Sequence, residues 1–381
     1  MRFNISSTAL CNRLQLISKV ISPKSALQIL ESVLFCVEDG TLKLTASDSE
    51  TTVVTTLEVN DADANGMFAI KAKTIIDALK EIAEQPVTFN VNMDSYEIVI
   101  DYQNGHYNFG GMSGEEYPVP MGMADGANVL NIDTDILLGG ISRSIFATAD
   151  DELRPVMNGI YFDINTDSVT FVASDGHKLV RYRSYKVHGD NNVAFILPKK
   201  PAILLKTILP KADGESCVRF DDRNAVIEAG SFKVSCRLIE GRYPNYNSVI
   251  PAGNPYRITV DRMALISALR RVSVFASESS ALIKLHVDGN TLTVSAQDID
   301  FSTSAEERIM CDYTGIPMSI GFKGTYLLDI LNGLGGQDTI VELADMGRAG
   351  VFVPAEQEEG EDLLMLLMPM MLNEKDSNII V

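Results

Sequence analysis

Asp298 and Asp300 are the residues of this chain best spaced for metal chemistry. Two carboxylates at i and i+2 where a strand-like run ends can hold magnesium for nuclease-type cleavage, and the same spacing also fits two exposed turn residues. Asp163-Ile164-Asn165-Thr166-Asp167 begins like a calcium loop, but Ser168 stands where the loop needs glycine and Ser174 where it needs glutamate. The four histidines, His106, His177, His188 and His286, form no H-E-x-x-H motif and lie near no G-x-S-x-G elbow. Nucleophilic catalysis therefore has no local support. Five scattered cysteines include no C-x-x-C pair, which predicts neither a disulfide framework nor a zinc site. Gly333-Leu334-Gly335-Gly336 closes a helical pattern instead of opening one, so it reads as a C-cap and not a phosphate cradle. The expectation is a chain with no catalytic residue, no metal and no cofactor.

The elements that must position these residues recur. Ser7 to Ile21, Thr134 to Thr148 and Asp261 to Phe275 are apolar-periodic segments whose starts lie 127 residues apart both times. Ala46-Ser47-Asp48, Ala173-Ser174-Asp175 and Ala296-Gln297-Asp298 each end a strand-like run, at spacings of 127 and 123. Lys71-Ala72-Lys73, Pro198-Lys199-Lys200 and Phe322-Lys323-Gly324 each introduce a second helical pattern (Thr74 to Ala83, Pro201 to Leu209, Thr325 to Leu334), at spacings of 127 and 124. Three landmarks in one order at one period predict a triplicated domain.

Within each copy a helix comes first, with Leu10, Leu14, Ile17 and Ile21 on one face and Arg13 and Lys19 opposite. Strand-like runs follow across turns such as Glu38-Asp39-Gly40 and Asp288-Gly289-Asn290, then a second helix, then strands that end at Tyr117-Pro118, Tyr243-Pro244 and Met368-Pro369. The fold class is α+β, with antiparallel sheets outside and two helices on one side of each domain. Gly-, Ala- and Pro-rich stretches at Met121 to Gly126 and Ile250 to Asn254 set the domains at residues 1–124, 125–252 and 253–372, with a tail at 373–381. Pro354 to Asp362 is acidic and reads as a solvated loop.

A net charge of −19 over 381 residues ordinarily argues against nucleic acid. Its distribution reverses that inference. Ser7 to Lys24, Phe68 to Ala83, Thr134 to Thr148, Ala194 to Lys211, Asp261 to Phe275 and Ser319 to Asn332 together hold fifteen Lys or Arg against five Asp or Glu. Basic helices in an acidic body predict a sorted surface. No apolar run is long enough to span a bilayer, and the N-terminal residues lack a signal-peptide layout, so a cytoplasmic protein without a membrane partner is expected.

One further constellation combines turn residues with dense apolar side chains: Ala173 to Leu179, Gly241 to Tyr246, and Leu366 to Leu372 with its methionines. Sheet core is one reading. A methionine-lined groove that accepts peptides is the other.

The chain resembles the bacterial DNA polymerase III beta subunit family, the replicative sliding clamps, from Met1 to Leu372. The segments that carry the resemblance are S-D-G-H-K-L at Ser174 to Leu179, E-x-R-P-V-x-N-G at Glu152 to Gly159, G-R-Y-P-N-Y-x-x-V-I-P at Gly241 to Pro251, and M-P-M at Met368 to Met370. It implies a non-enzymatic processivity factor in which two chains close head to tail into a ring around duplex DNA, as a homodimer. Arg13, Lys19, Lys24, Lys73, Lys200 and Lys206 would face phosphates without reading sequence. The seam would set Tyr107 and Phe109 of one chain against Val274 and Phe275 of the other. A groove of Met157, Ser174, Gly176, His177, Lys178, Leu179, Pro244, Val249, Leu367, Met368, Pro369 and Met370 would dock short motifs of the replicative polymerase, the clamp loader and repair proteins. Met371 and Ser248 stand where many or some relatives carry basic residues, which lowers the rim's positive charge. Two rivals stay open at this stage: a metal-dependent DNA-processing enzyme built on Asp298 and Asp300, and a repeat scaffold without a DNA role.

Overall fold

Alternation of apolar and polar residues in Arg2-Phe3-Asn4-Ile5-Ser6 makes a strand, with Phe3 and Ile5 buried on one face. A strand, not a helix, therefore opens each repeat, which corrects the order expected from the helical periodicity. The computed structural model describes residues 1–22, 27–118, 122–124 and 126–372. The tail at 373–381, Lys24, and part of the Met121 to Gly126 boundary lie outside the described residues.

The first repeat runs β1 (Arg2–Ser6), α1 (Ser7–Ile17), β2 (Ser32–Glu38), β3 (Thr41–Ser47), β4 (Thr51–Glu58), β5 (Gly66–Lys71), α2 (Ala72–Lys80), β6 (Pro86–Val91), β7 (Glu97–Tyr102), β8 (Gly105–Gly110) and a short β9 (Met112–Ser113). The second runs β10 (Asn128–Asp133), α3 (Thr134–Ser144), β11 (Gly159–Ile164), β12 (Val169–Ser174), β13 (Lys178–Ser184), β14 (Val193–Pro198), α4 (Lys199–Ile208), β15 (Glu215–Phe220), β16 (Asn224–Ala229) and β17 (Phe232–Arg237). The third runs β18 (Tyr256–Asp261), α5 (Arg262–Val272), β19 (Leu282–Asp288), β20 (Thr291–Asp298), β21 (Thr303–Asp312), β22 (Met318–Lys323), α6 (Gly324–Gly333), β23 (Asp338–Leu343), β24 (Gly350–Pro354) and β25 (Glu361–Leu367).

Capping explains where the first helices start. Ser6 Oγ accepts from Ala9 N at 3.1 Å and Asp261 Oδ1 from Ala264 N at 2.6 Å, each satisfying an orphan donor of the first turn. Each of these helices tightens into a 3-10 turn at its end: Ser18–Val20, Ile145–Ala147 and Ser273–Phe275.

Contacts divide the chain into two units, one of residues 1–138 and 197–240, the other of 139–196 and 241–381. The first holds a four-stranded sheet, β1-β6-β7-β8, and a nine-stranded one, β10-β15-β16-β17-β4-β3-β2-β5-β9. Antiparallel pairing of β17 with β4, Val234 opposite Val53, carries that larger sheet from one repeat into the next. Phe3 stacks on Phe89 at 4.8 Å and Phe35 on Phe68 at 5.2 Å under α1 and α2, which pack side by side. The second unit holds the sheet β14-β11-β12-β13-β25-β24-β23-β18-β21-β20-β19-β22, continued between repeats by β13 and β25. In its core Phe162 stacks on Phe195 at 4.4 Å and meets Phe171 at a 60° tilt at 4.7 Å.

Three expectations about strand ends change. β9 and β17 stop before Tyr117 and Tyr243, and these tyrosines instead fasten the following loops: Tyr117 Oη donates to Ser32 O at 3.2 Å, and Tyr243 stacks on Tyr161 at 4.7 Å. Only the third run ends beside its proline, at Leu367. The acidic stretch is solvated from Ala355 to Glu359, but Glu361 and Asp362 begin β25. Glu361 accepts from Lys186 Nζ at 3.0 Å and Arg143 Nη1 at 3.3 Å, so that end of the loop is pinned.

Candidate functional site

The turn between β12 and β13 is built from its own side chains. Asp175 Oδ1 accepts from His177 N at 2.8 Å and Lys178 N at 2.9 Å, while Ser174 Oγ donates to Lys178 O at 2.9 Å and accepts from Gly176 N at 3.1 Å. Gly176 has φ +91°, and a Cβ there would meet Arg154 Nη1 at 3.1 Å. The segment after β25 then ties this turn to β22. Met368 N donates to His177 O at 2.8 Å, and Met370 N to Gly321 O at 2.8 Å.

Opposite lies the loop that follows β17. Tyr246 Oη donates to Asp163 Oδ2 at 2.7 Å, and burial first, then that bond to a carboxylate, pushes the hydroxyl up to about 12. With Tyr243 stacked on Tyr161, the loop is held so that Pro244 and Val249 stay exposed. Asp163 thus serves as the acceptor that fastens this loop.

The twelve groove candidates separate by depth. Gly176, His177, Pro244, Val249 and Met368 are exposed, Pro369 and Met370 half-buried, and Met157, Ser174, Lys178 and Leu179 buried beneath them. Leu367, at 0% exposure, supports the floor from inside the core. Lys178 is 6% exposed, and its Nζ lies 3.5 Å from Asp329 Oδ2, 3.7 Å from Asp175 Oδ2 and 4.1 Å from the centre of the Tyr326 ring. Sequence reasoning missed Tyr326, Asp329 and Arg154, because α6 and the loop before β11 reach this point only through the fold. Arg154 Nη2 donates to Asp175 O at 3.5 Å. The exposed methionines Met368 and Met371 make the rim apolar.

Of the six basic candidates, Lys19, Lys73 and Lys206 are exposed. Lys200 bonds Asp48, so its charge is already partnered within the first unit. Arg13 is half-buried, with its guanidinium 4.5 Å from the Phe232 ring and a 3.4 Å bond from Nη1 to Thr55 Oγ1, and burial lowers its pKa. A cavity of about 490 Å³ opens beside Lys73, between Ser18, Ser22, Glu31 and the start of α2.

The seam candidates lie at open ends. β8 is the outer strand of its sheet, where Tyr107 and Phe109 are half-buried and 6.3 Å apart. Val274 is 77% and Phe275 40% exposed, although Phe275 occupies the same place in its 3-10 turn as Val20 and Ala147, both fully buried.

The metal candidates resolve into a turn. Asp298 is buried, and its Oδ1 accepts from Asp300 N at 3.0 Å and Phe301 N at 3.1 Å. Among the described residues no group of three His, Cys, Asp or Glu can hold a metal ion, and no helix is long and apolar enough to cross a membrane.

Comparison with known proteins fits this layout. Models of the DNA polymerase III beta subunit match the chain as N-terminal domain over residues 1–121, central domain over 131–245 and C-terminal domain over 247–370. The beta sliding clamp of Pseudomonas aeruginosa is 26% identical over 375 residues, covering 98% of this chain and all of the relative, and that of Haemophilus influenzae is 25% identical over 374. The crystal structure of a sliding clamp from Bartonella birtlesii bound to griselimycin aligns with a TM-score of 0.91 at 26% identity, over 98% of this chain and 100% of that one. A griselimycin-bound clamp from Pseudomonas aeruginosa aligns with a TM-score of 0.91 at 25% identity, over the same shares. Fold and repeat together define a three-domain sliding clamp. The chain belongs to the DNA polymerase III beta subunit family.

Proposed function

We propose that this chain is the processivity factor of a replicative DNA polymerase, a non-catalytic subunit that closes with a second copy around duplex DNA and slides without reading sequence. One observation carries the reading. Two joints between repeats are made by strand pairing, β4 with β17 and β13 with β25, while β8 and most of β21 keep an open edge among the described residues. An open strand edge in the first repeat and another in the third suit a head-to-tail contact that closes in two copies. The exposed Val274 and Phe275 beside β21 support the same contact.

The exposed Lys206 on α4 and Lys19 in the turn after α1 support weak phosphate contacts, which hold DNA in place but leave it free to move. Retention then comes from encirclement and not from affinity. The groove suits extended peptide motifs with apolar side chains, and griselimycin binding by two relatives supports a ligand site on clamps of this kind. Polymerase, clamp loader and repair proteins are its expected users, in the cytoplasm.

The test is loading on nicked circular DNA. The clamp stays bound at moderate salt and runs off once the circle is cut, whereas equal retention on both forms defeats encirclement. The nuclease alternative has little left to stand on, since Asp298 already serves its own turn. Magnesium-dependent cleavage of labelled duplex that vanishes in Asp298→Ala would restore it.

A further inference from the structure

The two joints within the chain are built to one register. At the first, Val53 faces Val234 and Thr51 faces Cys236, and Arg237 N donates to Glu50 O at 2.9 Å. At the second, Val180 faces Met365 and Lys178 faces Leu367, and Met368 N donates to His177 O at 2.8 Å. All three positions shift by 127 residues on one side and by 131 on the other. A ladder repeated so closely can be extended to the open edges.

β7 and β8 place the outer strand. Ile100 faces Tyr107 and Ile98 faces Phe109, just as Ile227 faces Val234 and Ala225 faces Cys236. On the other edge, Ala305 faces Ala296 as Val53 faces Ala46. Tyr107 therefore corresponds to Val234 and Met365, and Ala305 to Val53 and Val180. Those four equivalents are buried to within 1% of completely, whereas Tyr107 and Ala305 are only half-buried. Both open edges therefore keep side-chain surface that the two joints within the chain bury.

Charge completes the match. Lys200 at the start of α4 bonds Asp48, whose Oδ1 meanwhile accepts from Glu50 N at 3.0 Å and Thr51 N at 2.7 Å. Lys73 holds the same place on α2, 127 residues earlier, and is exposed. Asp298 holds its turn through Oδ1 in the same way, leaving Oδ2 for a partner. The second joint differs, with Lys178 bonded to Asp329, but Thr303 stands at the position of Lys178 in the third repeat. The third joint is therefore of the first type.

We infer that Lys73 is a seam residue, not a DNA contact: its ammonium bonds the Asp298 carboxylate of a second copy, beside a β8–β21 ladder in which Tyr107 faces Ala305. This rests on the two-copy reading above. The test measures the dimer dissociation constant by analytical ultracentrifugation for the full chain, Lys73→Ala, Asp298→Asn and the double variant. Asparagine keeps the turn-forming oxygen while removing the charge. Each single change weakens dimerisation on the order of tenfold, and the double change weakens it no further than the worse single. Oxidation joins Tyr107→Cys to Ala305→Cys between copies, because facing residues on paired strands lie within disulfide range, and joins Tyr107→Cys to Glu307→Cys poorly. Unchanged dimer constants, additive losses or the opposite preference between the two cysteine pairs overturn the inference. A chain that stays monomeric throughout overturns the two-copy reading itself.

Discussion

The Lys178 ammonium lies 4.1 Å from the centre of the Tyr326 ring, so a cation from the second repeat is enclosed by the second helix of the third. Asp329 and Asp175 flank it at 3.5 and 3.7 Å. The turn that presents Gly176 and His177 is thereby anchored to α6.

Replacing Lys178 separates packing from charge. Lys178→Ala should destabilise the protein by about 2–3 kcal/mol through the lost stem and the lost cation–ring contact. Lys178→Met keeps the stem and should cost about 1 kcal/mol, since Asp329 is half-exposed and can return to water. Guanidinium unfolding reads both, and equal losses would show that the charge, not the stem, holds the turn.

Exposed groove residues should tune binding alone. Met368→Asp or Val249→Asp is expected to weaken binding of an extended peptide ligand with apolar side chains by tenfold or more, measured by calorimetry, with melting temperature and dimer unchanged. Leu179→Ala together with Met368→Ala should also weaken the ligand, and will cost about 2–3 kcal/mol of stability because Leu179 is buried. Loss of the dimer in any of these would place the side chains in the seam instead.

Gly140 marks a close approach of helix to sheet. A Cβ there would come within 2.6 Å of the Phe171 ring, which is itself fully buried. Gly140→Ala should therefore destabilise by about 1–3 kcal/mol, despite alanine's better helix propensity. Gly139→Ala is the control, since its nearest neighbour is the flexible end of Arg143 at 3.3 Å. Thermal unfolding should separate the two, and indistinguishable melting points would remove the packing explanation.

Acid sensitivity should centre on Glu361. Burial alone raises its carboxyl, but hydrogen bonds from Lys186 and Tyr182 and the charges of Arg143 and Lys186 bring it below its ordinary 4.5. A depressed value means the unfolded chain takes up the proton first, so the contribution is complete above about 4.5 and is lost as pH falls through the folded value. Glu361→Gln should lower the melting temperature at neutral pH and narrow its gap to the parent as pH drops below 4.5. A gap that stays constant down to pH 3 or so would remove Glu361 from the linkage.

Much of this was legible in the residues. The first helices and the hairpins fell where the periodicity put them, because Leu10, Leu14 and Ile17 are all fully buried and short Asp-Gly turns leave little choice of register. Legibility failed where side chains do two jobs. The strand at Arg2–Ser6 is five residues long and two of its residues are serine and asparagine, too little signal to separate from a helix lead-in. Asp298 looked like a metal ligand because sequence shows two carboxylates but not the backbone N–H groups that occupy one of them. Lys73 and Lys200 looked like equal members of a basic lining, yet an aspartate 152 residues away already partners the second.

From sequence alone came the triplication, the sorting of basic residues onto helices and the absence of nucleophile motifs, since these depend on period, composition and spacing along the chain. Which carboxylate meets which ammonium, which groove residue is floor and which is rim, and which strand edges stay open were decided by tertiary structure. Those facts depend on distances between residues far apart in the chain, set by how β17 and β25 extend the sheets of the preceding repeats.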